Sequence, residues 1–218
     1  MRLRLSVVLV LAGMLSGAVK VYAFEALNIY GRDYEIGFGL GMQTGGKIVT
    51  DVFDENLNAS GSLLLKGFVD AYVVPKLAVG AYINYTSLPS KHSYDTWGTP
   101  VWDGYTWDFP IVTVSESYSI NIIEIGGSIK PRFFINERTA IKPGISIGYR
   151  QLSIDGGGFD SDNLQALGIN PSCEIQYALN DRTVIFGELG AFTQPAGGNK
   201  NIGITFGPIL YILAGITF

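Results

Sequence analysis

Apolar residues recur at every second position along most of this chain. From Ile202 onward one parity reads Ile202, Ile204, Phe206, Pro208, Leu210, Ile212, Ala214, Ile216 and Phe218. The other reads Gly203, Thr205, Gly207, Ile209, Tyr211, Leu213, Gly215 and Thr217. Side chains alternate faces along a strand, so this spacing predicts one long strand with an apolar face and a compact face. The same alternation appears at Ile36–Met42 against Gly37, Gly39 and Gly41, and at Leu63–Val73 against Lys66, Phe68, Asp70 and Tyr72. It returns at Leu77–Tyr85 and at Ile141–Tyr149, where the opposing residues are Lys142, Gly144, Ser146, Gly148 and Arg150. Weaker strands are expected over Ile169–Leu179 and Thr183–Phe192. A further one runs over Tyr118–Ile135, with a change of parity expected near Ile122-Ile123, where the strand either carries a bulge or extends beyond the membrane.

Connections alternate in length. Short turns are expected at Val74-Pro75-Lys76, Asn136-Glu137-Arg138 and Asn180-Asp181-Arg182, where Asn and Asp tolerate turn geometry. The segments around 44–60, 87–117, 153–168 and 193–201 are long. Three short turns and four long connections give eight strands with both termini at the short-turn end. The fold class is therefore all-β, an eight-stranded antiparallel up-and-down transmembrane β-barrel. A soluble lipocalin-like barrel is the rival. Its water-facing parity would favour Lys, Glu, Thr and Gln, whereas the less apolar parity here is mostly Gly, Ala, Ser and Tyr, as suits a narrow lumen. Tyr34, Tyr85 and Tyr149 suit an interfacial aromatic girdle. Pro143 and Pro208 count against regular strands, since each removes a ladder hydrogen bond.

Composition supports a membrane setting. Only 16% of the 218 residues are charged, Gly numbers 28, and the mean hydropathy is +0.26. Beyond the first residues no apolar run is long enough for a transmembrane helix, so the hydrophobicity is spread over alternate positions. The net charge of −4 argues against a nucleic-acid partner. Cys173 is alone and forms no internal disulfide. At the start, Arg2 and Arg4 precede the apolar stretch Leu5–Val19 and the small residues of Val21-Tyr22-Ala23. This is the pattern of a cleaved signal peptide over 1–23, leaving 24–218 as one barrel domain.

The alternating strands and the ending Leu213-Ala214-Gly215-Ile216-Thr217-Phe218 resemble the superfamily of small outer-membrane barrels that includes the OmpA transmembrane domain, OmpX and OmpW. The resemblance spans essentially the whole mature chain. It implies a bacterial outer-membrane location among membrane lipids and lipopolysaccharide. It also implies that Phe218 is a signal read by the barrel-assembly machinery.

If the apolar parity faces lipid, the lumen receives Lys66, Asp70, Glu124, Lys130, Arg132, Lys142, Arg150, Glu174 and Glu188. Charge on the lipid face would cost about 2–4 kcal/mol near the midplane. Counting from the turns puts Glu174 opposite Glu188 and Arg132 opposite Lys142. Such like charges call for a network in which Lys130, Arg132, Lys142 or Lys66 reaches the two carboxylates. Two readings follow, a polar plug or an acid pair relaying protons or ions.

His92, the only histidine, falls in the second long connection with no acid beside it in sequence, and reads as a solvated loop residue. A lipid A-modifying barrel enzyme would have to use it. The same connection carries Tyr94, Trp97, Trp102, Tyr105, Trp107 and Phe109. These are expected to form a self-packed lid, an interfacial anchor or a glycan-binding surface. The acidic stretch Asp155–Asn163 lacks calcium-loop spacing. No metal cluster, phosphate-cradling loop or nucleophile elbow is seen, so neither cofactor nor metal is expected. The expected function is non-enzymatic: a structural or surface-binding role through external loops, with the lumen plugged by charges. The alternative is an OmpW-like conduit for small or hydrophobic molecules.

Overall fold

A computed structural model describes residues 33–50, 57–102, 104–156, 159–198 and 203–218. The proposed signal peptide and the start of the barrel domain lie outside these residues. The strands are β1 (Tyr34–Gln43), β2 (Gly46–Thr50), β3 (Leu57–Ala59), β4 (Ser62–Val74), β5 (Leu77–Trp97), β6 (Val101–Trp102) and β7 (Trp107–Asp108). They continue with β8 (Ile111–Pro131), β9 (Phe133–Phe134), β10 (Thr139–Gly156), β11 (Phe159–Asn180), β12 (Thr183–Gly198) and β13 (Ile204–Thr217).

Eight of them form the ring β1-β4-β5-β8-β10-β11-β12-β13, every neighbour antiparallel. The ring closes where β1 pairs with β13, from Gly37↔Thr217 to Gln43↔Tyr211. The amide of Phe218 donates to the Ile36 carbonyl at 2.9 Å and its own carbonyl accepts from Ile36 at 3.2 Å, completing that seam. Above the β1–β4 hairpin, β2 pairs with β13 and β3 with β5, so the wall continues upward. The short turns are made as their residue types dictate. Asn136 Oδ1 accepts from the amides of Arg138 and Thr139 at 2.9 and 2.8 Å, and Asn180 Oδ1 accepts from Arg182 N at 2.9 Å.

The long connections are mostly strand. β5 and β8 pair without a register shift from Leu77↔Pro131 to Trp97↔Ile111, and β10 continues to Gly156, where it pairs with Phe159. The segment 87–117 is therefore a tall hairpin rather than a loop.

The solvent logic of each strand inverts partway up. On β10 the outward residues from Ile141 to Tyr149 are apolar, and the next ones are Gln151, Ser153 and Asp155. The inward residues change from Lys142, Ser146 and Arg150 to Leu152 and Ile154. On β5 the outward row runs Val79, Ile83 and Tyr85, then Ser87, Lys91 and Asp95. The apolar outward stretches match the length of about 9–11 residues that a tilted strand needs to cross a bilayer. We call the level below Tyr85 and Tyr149 the membrane tier and the level above it the outer tier. In the outer tier Ile48, Leu57, Leu88, Ile120, Leu152, Ile154, Leu164 and Ile204 form a fully buried apolar core.

Two expectations about parity are corrected by this inversion. β8 keeps one parity throughout, with Tyr118, Ile120, Ile122, Glu124, Ser128 and Lys130 all inward. There is no bulge at Ile122-Ile123; the other expected course holds, the strand extending above the apolar band, where the interior changes from polar to apolar. On β13 the opposite holds. Ile204 and Phe206 point inward, as do Ile209, Tyr211 and Leu213, so the even-numbered apolar parity does not stay on one face. The pairings Phe192↔Ile209 and Gln194↔Phe206 enclose one extra residue on β13, a bulge at Gly207-Pro208. Pro208 thus sits where the ladder is already interrupted. Pro143 likewise falls between the β9–β10 pairs and the start of the β8–β10 pairs at Ile145↔Ile129.

Candidate functional site

Among the described residues, the membrane-tier interior holds five carboxylates (Glu35, Asp70, Glu124, Glu174, Glu188) and five cations (Lys66, Lys130, Arg132, Lys142, Arg150), all buried. Parity puts them there, and their charges balance.

The lower cluster is continuous. Arg132 Nη2 donates to Glu35 Oε1 at 2.5 Å. Lys142 Nζ lies 3.2 Å from Glu35, 3.0 Å from Asp70 and 3.4 Å from Glu174. Lys130 Nζ bridges Asp70 at 2.9 Å and Glu174 at 3.3 Å. Gln176 Nε2 ties Glu35 to Glu174 at 2.9 and 2.8 Å. Phe68 stands among the ammonium groups with Lys130 Nζ 4.3 Å from its ring centre, and Arg132 stacks 3.6 Å over Tyr72. Arg132 and Lys142 are kept together by sharing Glu35.

Glu35 is absent from the sequence-derived set. It occupies the parity opposite Ile36, Phe38, Leu40 and Met42, so the alternation that located the other charges also points to it.

The register sets Glu174 opposite Glu188, and the two are separated by taking different partners. Glu188 accepts from Lys66 Nζ at 2.6 and 2.7 Å and from Tyr211 at 2.6 Å. Lys130 reaches Glu174.

Higher up, Glu124 Oε2 accepts from Arg150 Nε at 2.7 Å, while Glu124 Oε1 accepts from Asn170 at 2.6 Å and from the Tyr82 hydroxyl. Arg150 also donates to Asn170 Oδ1 at 2.6 Å and to the Thr193 carbonyl at 2.9 Å. This cluster needs backbone without side chains beside it. A Cβ on Gly148 would lie 2.5 Å from the Tyr82 oxygen and 2.6 Å from Glu124 Oε1, and one on Gly168 would strike the Arg150 guanidinium.

Between the charges and the apolar core lies a cavity of about 10 Å³ lined by Gln43, Asn84, Thr86, Glu124, Arg150 and Phe206 among others. It has room for about one water molecule. Among the described residues no group of His, Cys, Asp and Glu side chains is arranged to hold a metal ion.

His92 is not a solvated loop residue. It lies on the inward face of β5, is 7% exposed, pairs in register with Glu116 and stacks on Tyr94 with ring centres 5.4 Å apart. An acid does stand across from it, supplied by the neighbouring strand. Both Glu116 oxygens accept phenol protons, Oε1 from Tyr94 at 3.1 Å and Oε2 from Tyr118. Burial together with the Glu116 carboxylate pushes the Tyr118 phenol up to about 12, and the bond to Glu116 also raises Tyr94.

The aromatic set is likewise on strands: Tyr94 and Trp97 on β5, Trp102 on β6 and Trp107 on β7, with Tyr105 in the turn between the last two. Trp102 and Trp107 pair at 5.4 Å, and Trp97 meets Phe109 edge-on at 6.5 Å. All remain more than half exposed apart from Tyr94 and Phe109, and Tyr105 is 90% exposed.

No protein-family model and no curated protein matches the sequence. Solved structures do. The crystal structure of Neisserial surface protein A matches with a TM-score of 0.56 at 11% identity, over 85% of this chain and 96% of that one. OprG from Pseudomonas aeruginosa matches with a TM-score of 0.47 at 12% identity, over 85% and 95%. Ail, the attachment invasion locus protein of Yersinia pestis, matches with a TM-score of 0.40 at 10% identity, over 86% and 100%. With its closed ring of eight antiparallel strands, apolar outer band and likeness to Neisserial surface protein A, the chain has the fold of the small outer-membrane β-barrels.

Proposed function

We propose that this chain is a closed barrel of the bacterial outer membrane, acting without catalysis as a structural or surface-binding protein through its outer tier and tall hairpin. The observation that carries the reading is the filled interior. Ten balanced charges occupy the membrane tier, an apolar core lies above them, and the cavity between measures about 10 Å³. A permeant molecule would have to break several buried ion pairs, each expensive to leave half-made. Export through the 1–23 signal, assembly through the barrel-assembly machinery and contact with lipopolysaccharide complete the proposal. Engagement of both Glu116 oxygens by phenols supports a packing role for the His92 site.

A second reading, a conduit for small hydrophobic molecules, draws on one feature. The apolar outer-tier interior abuts the interrupted wall at Gly207-Pro208. Both readings meet one experiment. Purified protein reconstituted in planar bilayers is expected to give no discrete conductance, and in liposomes no accelerated uptake of a small hydrophobic dye. Steady conductance or saturable dye uptake by the folded protein overturns the closed-barrel reading.

A further inference from the structure

The β5–β8 hairpin is too tall to serve its own membrane. Its outward face loses apolar character after Tyr85, yet the ladder runs unbroken for another twelve residues to Trp97↔Ile111. At about 3.3 Å per residue this is about 40 Å of strand, and a barrel tilt of about 40° leaves about 30 Å of height. Headgroup regions are only several ångströms deep. The aromatic tip therefore stands clear of the bilayer that holds the barrel and cannot be its interfacial anchor.

What the tip presents is specific. Trp97 is 70% exposed, Trp107 60% and Tyr105 90%, on a narrow convex end turned by Gly104, whose φ is +102°. Indole and phenol rings favour the headgroup level of a bilayer, where one end is apolar and the other wet. Charge narrows the choice of surface. Residues 94–112 contain Asp95, Asp103 and Asp108 and no Lys, Arg or His, so the tip is repelled by anionic lipid. Aromatic faces and carboxylates together attract quaternary ammonium groups.

We propose that this tip docks onto an apposed bilayer, not its own, whose surface displays choline headgroups. The inference rests on the surface-binding reading and gives that reading a target. It is tested with full-length protein in nanodiscs of phosphatidylethanolamine and phosphatidylglycerol, mixed with liposomes of phosphatidylcholine or of phosphatidylglycerol. Binding is read by co-flotation and by tryptophan emission. The expected result is co-flotation with phosphatidylcholine accompanied by a blue shift, at least tenfold weaker with phosphatidylglycerol. Trp102→Ala combined with Trp107→Ala should weaken it tenfold or more while the heat-modifiable gel mobility of the folded barrel is retained. Asp95→Asn with Asp108→Asn should reduce the preference for choline lipid. Equal binding to both lipids overturns the inference. A second arm presents neutral oligosaccharides on a surface to the same proteins. Tryptophan-dependent capture there without liposome binding overturns the choline assignment and leaves the surface-binding reading standing. No tryptophan-dependent binding in either arm overturns both.

Discussion

Lys66 Nζ lies 2.6 Å from Glu188 Oε1 although the two residues are on strands far apart in the chain, and this contact keeps Glu188 apart from Glu174, its opposite number in the ladder. Removing one partner leaves a buried charge, at a cost of about 3–5 kcal/mol. Lys66→Met alone and Glu188→Gln alone should each destabilise the barrel by about that much. The double variant should be markedly less damaged than the sum. Equilibrium unfolding in detergent or lipid measures the coupling. Additive losses would show that the pair contributes nothing as a pair.

The inversion between tiers makes opposite demands on one strand. Ile145→Arg, on the lipid face of β10, should cost about 2–4 kcal/mol. Gln151→Arg lies on the same face of the same strand but in the outer tier, and should change stability by about 0.5 kcal/mol or less. Leu152→Ala should cost about 2–5 kcal/mol because it empties part of the outer-tier core. Equal penalties for the two arginine variants, by urea titration in lipid, would contradict the boundary at Tyr149.

Gly148 is a packing requirement rather than a turn. Gly148→Ala should lose about 1–3 kcal/mol by overpacking the Tyr82–Glu124–Arg150 cluster. Gly187 faces outward, and a Cβ there would meet only the Leu213 carbonyl oxygen, at 4.0 Å. Gly187→Ala should therefore be close to neutral, and thermal unfolding of the two variants side by side decides the matter.

The Tyr118 phenol is held near 12, against about 10 for a free tyrosine. The folded state keeps this proton after the unfolded state has released it. Its contribution is fully present below about pH 10 and is lost as pH rises from there toward 12. Stability should decline across that window, and Tyr118→Phe should flatten the decline. Tyrosinate absorbance and melting temperature, followed together against pH, test this; an unchanged slope in the variant would assign the effect to other groups.

Alternation was legible in the sequence because it needs only local spacing, and it located the barrel, the short turns and nine interior charges. Glu35 was missed although its parity was right, because the glycines that follow it dominated the reading of that strand. His92 was misread for a different reason. The acid across from it lies on the facing strand, twenty-four residues away, and only the register reveals that Glu116 stands opposite. The height of the β5–β8 hairpin was hidden because its Ser, Thr and Asp residues look like a loop. They are a water-facing strand row whose inward companions, Leu88 and Ile120, supply the apolar side.

The outer tier's reversed polarity also dictates an order of events. Lys47, Lys91 and Asp155 project outward on it, and they have to traverse the hydrocarbon before reaching water on the far side. Carrying such residues through lipid on a finished, rigid wall would be prohibitive. The tier must therefore cross while its core is still unmade, and Ile120, Leu152 and Ile154 can meet only after arrival. On the outer-membrane location proposed above, biogenesis thus ends on the exterior of the cell, with a hydrophobic collapse in water that completes what lipid began.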